Sequence, residues 1–177
     1  MAARRRVAPA SLDLLPDRFT DWFAARGWAP RAHQLDLLRL AGEGRSALLV
    51  APTGAGKTLA GFLPSLVDLA PGRAESGLHT LYISPLKALA VDVARNLYRP
   101  ATDMALPIRI ETRTGDTPAS KRQRQRDFPP DILLTTPEQL ALLLASAVAL
   151  ATLPLLVPAD EPAVHLLTLA AARSSGP

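Results

Sequence analysis

The chain contains no cysteine. That removes any disulfide framework and any thiolate metal site, and a reducing interior suits such a composition. Lysine is scarce as well: Lys57, Lys87 and Lys121 are the only three, and the other 17 of the 20 basic side chains are arginine. Richness in Arg, Ala, Leu and Pro with so little Lys points to a GC-rich coding genome. The opening "MAARRRVAPASLDLL" carries three arginines, Arg4, Arg5 and Arg6, but no clean apolar core followed by a cleavage site. It does not read as a secretory signal. Residues 1–14 are expected to be a flexible basic terminus, and the location to be cytoplasmic. No internal repeat is visible. A strong excess of one charge is also missing. The net charge of +4 permits a polyanionic partner without demanding one.

What is present is an ordinary globular composition. The 177 residues are 48% apolar and 20% charged, enough for one domain with a buried core and unlike a disordered chain. Charge vanishes from Leu140 to Ala159, twenty residues, about the length that spans a bilayer. Ser146, Thr152, Pro154 and Pro158 interrupt that run, and it follows directly on "DILLTTPEQ". It reads as a buried helix leading into a strand, with no membrane partner.

Short apolar runs alternate with amphipathic ones. "LPDRFTDWFAARGWAP" puts Phe19, Trp22 and Phe23 on one face of a helix ended by Gly27, and Pro30 sits near the start of a second helix, "RAHQLDLLRLA". There Leu35, Leu37 and Leu38 are expected to face a core. "SALLVA" reads as a strand, "PTGAGKT" as a turn, and "LAGFLPSLVDLA" as a helix bent near Gly61 and Pro64. Three further strands follow, "LHTLYISP", "PIRIET" and "DILLTT". Their helices are "LKALAVDVARNLYR", the basic "PASKRQRQR" and "PEQLALLLASAVALA". This alternation predicts an α/β fold, a mostly parallel sheet with helices on both faces.

The stretch "LLVAPTGAGKTLAG" has the form of a phosphate grip. A strand feeds a glycine-rich turn whose backbone N–H groups converge at a helix N-terminus, which makes an anion site from the main chain. Thr53, Gly54, Ala55, Gly56 and Lys57 form the cradle. Gly54 and Gly56 let the backbone close where a β-carbon would obstruct it, and Lys57 reaches the β- and γ-phosphates. Thr58 offers its hydroxyl to Mg²⁺. The first glycine of the full pattern is replaced by Ala51. Upstream, Gln34 carries a donor and an acceptor that match the edge of adenine. Taken alone, Gln34 reads as a solvated helix residue, and the grip implies a nucleotide with Mg²⁺ without saying which.

With "WAPRAHQ", "APTGAGKT", "ISPLKALA", "RTGDT" and "TTPE" in that order, residues 15–145 resemble the first RecA-like domain of superfamily 2 DEXH-box helicases. The wording looks most like the large helicase-related (Lhr-type) family, including its ligase-associated branch. The resemblance implies a RecA-like P-loop NTPase domain over residues 15–150, and nucleic-acid-stimulated ATP hydrolysis coupled to strand translocation in DNA repair. It assigns Gln34 to adenine reading and Gly54–Thr58 to phosphate and Mg²⁺, with Lys57 catalytic. It assigns Pro85 and Lys87, Gly115, Asp116 and Thr117, and Thr136, Pro137 and Glu138 to the backbone of a single-stranded nucleic acid, DNA. Lys121, Arg122, Arg124 and Arg126 form a basic cluster that either steers nucleic acid or is a solvated helix face.

The family's apolar strand ending in Asp-Glu-x-His holds Mg²⁺ through the Asp and positions water through the Glu. The only Asp-Glu pair is Asp160-Glu161, which makes Asp160 the metal candidate and Glu161 the catalytic one. Position 163 is Ala163, however, His165 falls two residues late, and Pro158 and Pro162 flank the pair. Only four charged side chains occur from residue 133 onward, and the last 27 residues hold four prolines without a sustained period. Residues 151–177 are expected to be an atypical tail, frameshifted or disordered, with the fold incomplete at its C-terminus and the second RecA-like domain missing. Two alternatives remain beside the helicase reading: a non-catalytic nucleotide- or nucleic-acid-binding remnant, and a small P-loop phosphotransferase.

Overall fold

A computed structural model describes residues 12–52, 54–72, 77–145 and 165–167. After a 3-10 turn at Leu12–Leu14 come α1 (Asp17–Ala24), α2 (Ala32–Gly42) and α3 (Lys57–Leu69). They are followed by β1 (Thr80–Ile83), α4 (Lys87–Asp103), β2 (Ile110–Arg113), α5 (Ala119–Asp127), β3 (Ile132–Thr135), α6 (Pro137–Ala145) and β4 (His165–Leu167). The four strands form one sheet in the order β2-β3-β1-β4, and every pairing is parallel. Chain order and sheet order differ, so the link from β1 to β2 runs one way across the sheet and the link from β2 to β3 runs back. Right-handed crossovers in opposite directions send α4 and α5 to opposite faces.

Burial follows the residue types. β3, "ILLT", lies between two strands and is buried along its whole length, as expected of a parallel strand covered on both faces. Phe19, Trp22 and Phe23 of α1 and Leu35 and Leu38 of α2 join a single core with Phe62, Leu63, Leu66 and Leu69 of α3, and Tyr82, Leu97, Ile110, Ile132 and Leu134 complete it. Leu37 is only half-buried. The helix α3 runs unbroken through Gly61 and Pro64, both buried.

Two sequence expectations fail here. "SALLVA" forms no strand: residues 45–52 have no regular structure, and Leu48 and Val50 are 79% and 71% exposed. Alternating apolar residues adopt strand geometry only where a neighbour supplies ladder hydrogen bonds. Among the described residues none flanks this segment. Leu48→Ser is therefore expected to change the unfolding free energy of this chain by no more than about 0.5 kcal/mol, measured by urea titration; a Leu48 built into a sheet would lose several times that. The second concerns the uncharged run. Its first turns lie on α6, where Leu142 and Leu144 are exposed rather than buried. No described element covers that face. Residues 146–159 lie outside the described residues, and no described helix is long and apolar enough to cross a membrane. Within the tail, β4 adds a short strand beside β1, pairing His165 with Thr80 and Leu167 with Tyr82.

Candidate nucleotide and nucleic-acid site

The glycine-rich turn leads directly into α3. Gly54 (φ 78°) and Gly56 (φ 73°) both occupy the left-handed region, and a β-carbon on Gly56 would lie 3.0 Å from Gln34 Nε2. Only glycine suits that position. The first N–H groups of α3 have no carbonyl one turn earlier within the helix, so they remain available to an anion. Lys57 is half-buried. It folds back over the turn and its Nζ donates to Ala51 O and Pro52 O, both at 2.8 Å. Those two carbonyls hold the ammonium against the turn. Thr58, half-buried, sits one residue further along the first turn. Thr53 lies outside the described residues, as do Asp160 and Glu161. In chain order β4 follows that acidic pair, whereas the expected motif places the pair at the end of a strand. No group of three or more His, Asp or Glu suited to a metal ion occurs among the described residues.

Helix α2 meets the turn from the other side. Gln34 is 3% exposed. Its Oε1 accepts from the Arg31 backbone N–H at 2.9 Å, supplying the helix cap that Arg31 itself lacks, and its Nε2 faces Gly56 O at 3.5 Å. His33 Nε2 lies 2.9 Å from Ala55 O. Beside these groups opens a cleft of about 670 Å³, whose lining includes Trp28, Arg31, Gln34, Gly56 and Thr58 together with Arg95 and Arg99 of α4. Of the residues at this cleft and turn, sequence reasoning singled out Gln34 and not His33, Trp28, Arg95 or Arg99. The signal for Trp28 was present, a large aromatic in "RGWAP", now 58% exposed at the cleft. None existed for Arg95 and Arg99, which read as the polar face of a helix.

The three loops singled out as strand contacts stand side by side, because each follows the carboxyl end of one of the adjacent strands β1, β2 and β3. In open α/β sheets that edge is where ligands bind. Pro85, Lys87, Gly115, Asp116, Pro137 and Glu138 are exposed there. An ion pair between Lys87 and Asp116 ties the first loop to the second, though pairs this exposed contribute little stability. Thr117 and Thr136 are buried, at 7% and 6%. The Thr117 hydroxyl accepts from Thr114 N at 2.9 Å, so it builds its own turn. The Glu138 carboxyl is lowered from its ordinary pKa, first by its own backbone N–H and then by the Thr136 hydroxyl.

The basic cluster is partly spent inside the protein. Glu111 of β2 takes Arg124 at 2.8 Å and Lys121 at 3.9 Å, and Gln125 donates to it at 2.8 Å. Arg126 bonds Gln123, and the Arg122 carbonyl accepts from Arg113 at 3.4 Å. Burial, then the charges of Arg122 and Arg126, push the Arg113 guanidinium below its ordinary pKa. Much of the cluster's charge therefore faces β2.

The family model for DEAD/DEAH box helicases matches residues 31–161, a span that holds α2, the phosphate turn and all three loops. The chain belongs to the DEAD/DEAH box helicase family. Membership decides against the small phosphotransferase. The chain is similar to the Lhr helicase/probable uracil glycosylase of Mycolicibacterium smegmatis, 47% identical over 72% of this chain and 9% of the relative. The structure of Mycobacterium smegmatis helicase Lhr bound to ssDNA and AMP-PNP superposes with a TM-score of 0.65 at 44% identity, covering 75% of this chain and 18% of that one. The helicase MrfA bound to DNA and AMPPNP gives 0.70 at 29% identity over 83% and 20%. The RecA-like α/β reading holds. The chain spans less than a fifth of the length of the M. smegmatis relatives it matches.

Proposed function

We propose that this chain is the ATP- and DNA-binding part of an ATP-dependent DNA helicase of the Lhr type. The observation that carries the reading is the family match over residues 31–161, which spans both the glycine turn at the N-terminus of α3 and the three loops that follow the adjacent strands β1, β2 and β3. Gly54–Lys57 cradle the phosphates, Gln34 and Trp28 border the base end of the cleft, and Thr58 presents its hydroxyl to Mg²⁺. Mg²⁺, when bound there, would offset the charge that develops on the phosphate oxygens. Asp160 and Glu161 are the candidates for completing that metal and water site. Hydrolysis coupled to translocation belongs to a longer chain in which a second RecA-like domain closes the cleft. Such a motor works in DNA repair in the cytoplasm.

Lys87 with the exposed loop residues takes the backbone of single-stranded DNA. Backbone contacts carry no sequence information, so binding is weak, indifferent to sequence and steeply salt-dependent. Losing one true phosphate contact flattens the log–log salt slope by about 0.7 for a single strand. The expected result is that Lys87→Ala flattens it by that amount, while an Arg124→Ala change, next to Glu111, alters it less. Fluorescence anisotropy of a labelled oligonucleotide across a salt series measures both. Identical slopes for parent and Lys87→Ala would remove this surface from the reading.

A further inference from the structure

We infer that His33 is a positioning residue for the phosphate turn, acting through the Ala55 carbonyl. The inference rests on the nucleotide reading above and deepens it. Among the described residues, the hydrogen bonds that reach the turn from a distant part of the chain come from the N-terminal end of α2. His33 Nε2 stands 2.9 Å from Ala55 O, and a carbonyl only accepts, so the ring nitrogen there carries the hydrogen. Gln34, the next residue, faces the next carbonyl, Gly56 O, but at 3.5 Å, the outer limit of a hydrogen bond. Of the two contacts, His33 makes the firmer one.

The consequence for an anion follows from peptide geometry. All described peptide bonds are trans, and a planar trans peptide points its N–H opposite to its C=O. Drawing Ala55 C=O toward α2 therefore turns the Gly56 N–H away from α2, and the left-handed Gly56 continues the turn into the first N–H groups of α3. Successive N–H groups set this way form the anion-binding concavity. His33 fixes it before the anion arrives, so less ordering is left to binding. The Lys57 contacts to Ala51 O and Pro52 O give no such substitute, since Lys57 must release them to reach a phosphate.

Two variants of the 177-residue chain test this. His33→Phe keeps an aromatic ring and removes the donor, and His33→Gln restores a side-chain N–H. In the nucleotide-free chain, His33→Phe is expected to speed amide hydrogen exchange in a peptide covering Gly54–Thr58, leaving β1 and β3 unchanged. Affinity for a fluorescent ATP analogue is expected to fall about three- to tenfold, the scale of one neutral hydrogen bond, and His33→Gln to recover part of both. Equal exchange in His33→Phe and the parent overturns the inference. So does equal affinity when the parent binds. Faster exchange in His33→Phe with a parent that binds no nucleotide upholds the clasp and fails the nucleotide reading instead. Should the phenylalanine lower the melting temperature, His33→Ala, which adds no bulk, repeats the comparison by exchange.

Discussion

Lys57→Ala is expected to weaken ATP binding by about 10- to 150-fold while leaving the fold intact. A hydrogen bond to a charged group contributes about 1.5–3 kcal/mol, and each 1.4 kcal/mol is about tenfold in affinity. The phosphate partner is anionic and the helix N-terminus adds its own partial positive charge, so the lysine's loss falls on binding. Stability should hold because, among the described residues, the ammonium bonds Ala51 O and Pro52 O, and both lie in a segment with no regular structure. Equilibrium titration of a fluorescent ATP analogue into both proteins measures the effect, with circular dichroism as the fold control. Equal affinities would sink the assignment of the turn.

Phe62→Ala should produce the largest loss of stability, about 3–5 kcal/mol for deleting a fully buried phenyl ring. Phe62 has no exposed surface, and its ring lies 5.6 Å from that of Tyr82 across the α3–β1 contact. Removing it opens a cavity beneath the helix whose N-terminus bears the proposed phosphate site. Against a typical total of about 5–15 kcal/mol, such a loss leaves a marginal domain. In urea the midpoint should fall with little change in slope. Set beside Leu48→Ser, the pair asks one question of two apolar residues in neighbouring segments. A near-neutral Phe62→Ala would mean that α3 does not pack on the sheet as described.

Much of this molecule was legible in its residues. The order of α1 to α6 and β1 to β3, the glycine turn before Lys57 and the five ordered motifs all rest on local signals. Helical or alternating periodicity, glycine where φ is positive and a basic residue at a helix start are properties of a few consecutive residues, and they survive without knowledge of the partners.

Other features depended on residues far away in the chain. "SALLVA" has strand chemistry but no flanking strand among the described residues, and Leu48 and Val50 are exposed. Thr117 and Thr136 looked like phosphate ligands, yet the tertiary fold buries both. Glu111, an unremarked strand residue, draws Lys121 and Arg124 back toward β2, which periodicity in "KRQRQR" does not reveal. His33 carried no signal beyond sitting beside Gln34, and its role depends on a contact 22 residues away with Ala55. A sequence by itself determines which local conformations are favourable and which chemistry is carried. Only the tertiary structure decides which hydrogen-bond groups find partners and which charges meet, because both depend on neighbours the chain brings together from a distance.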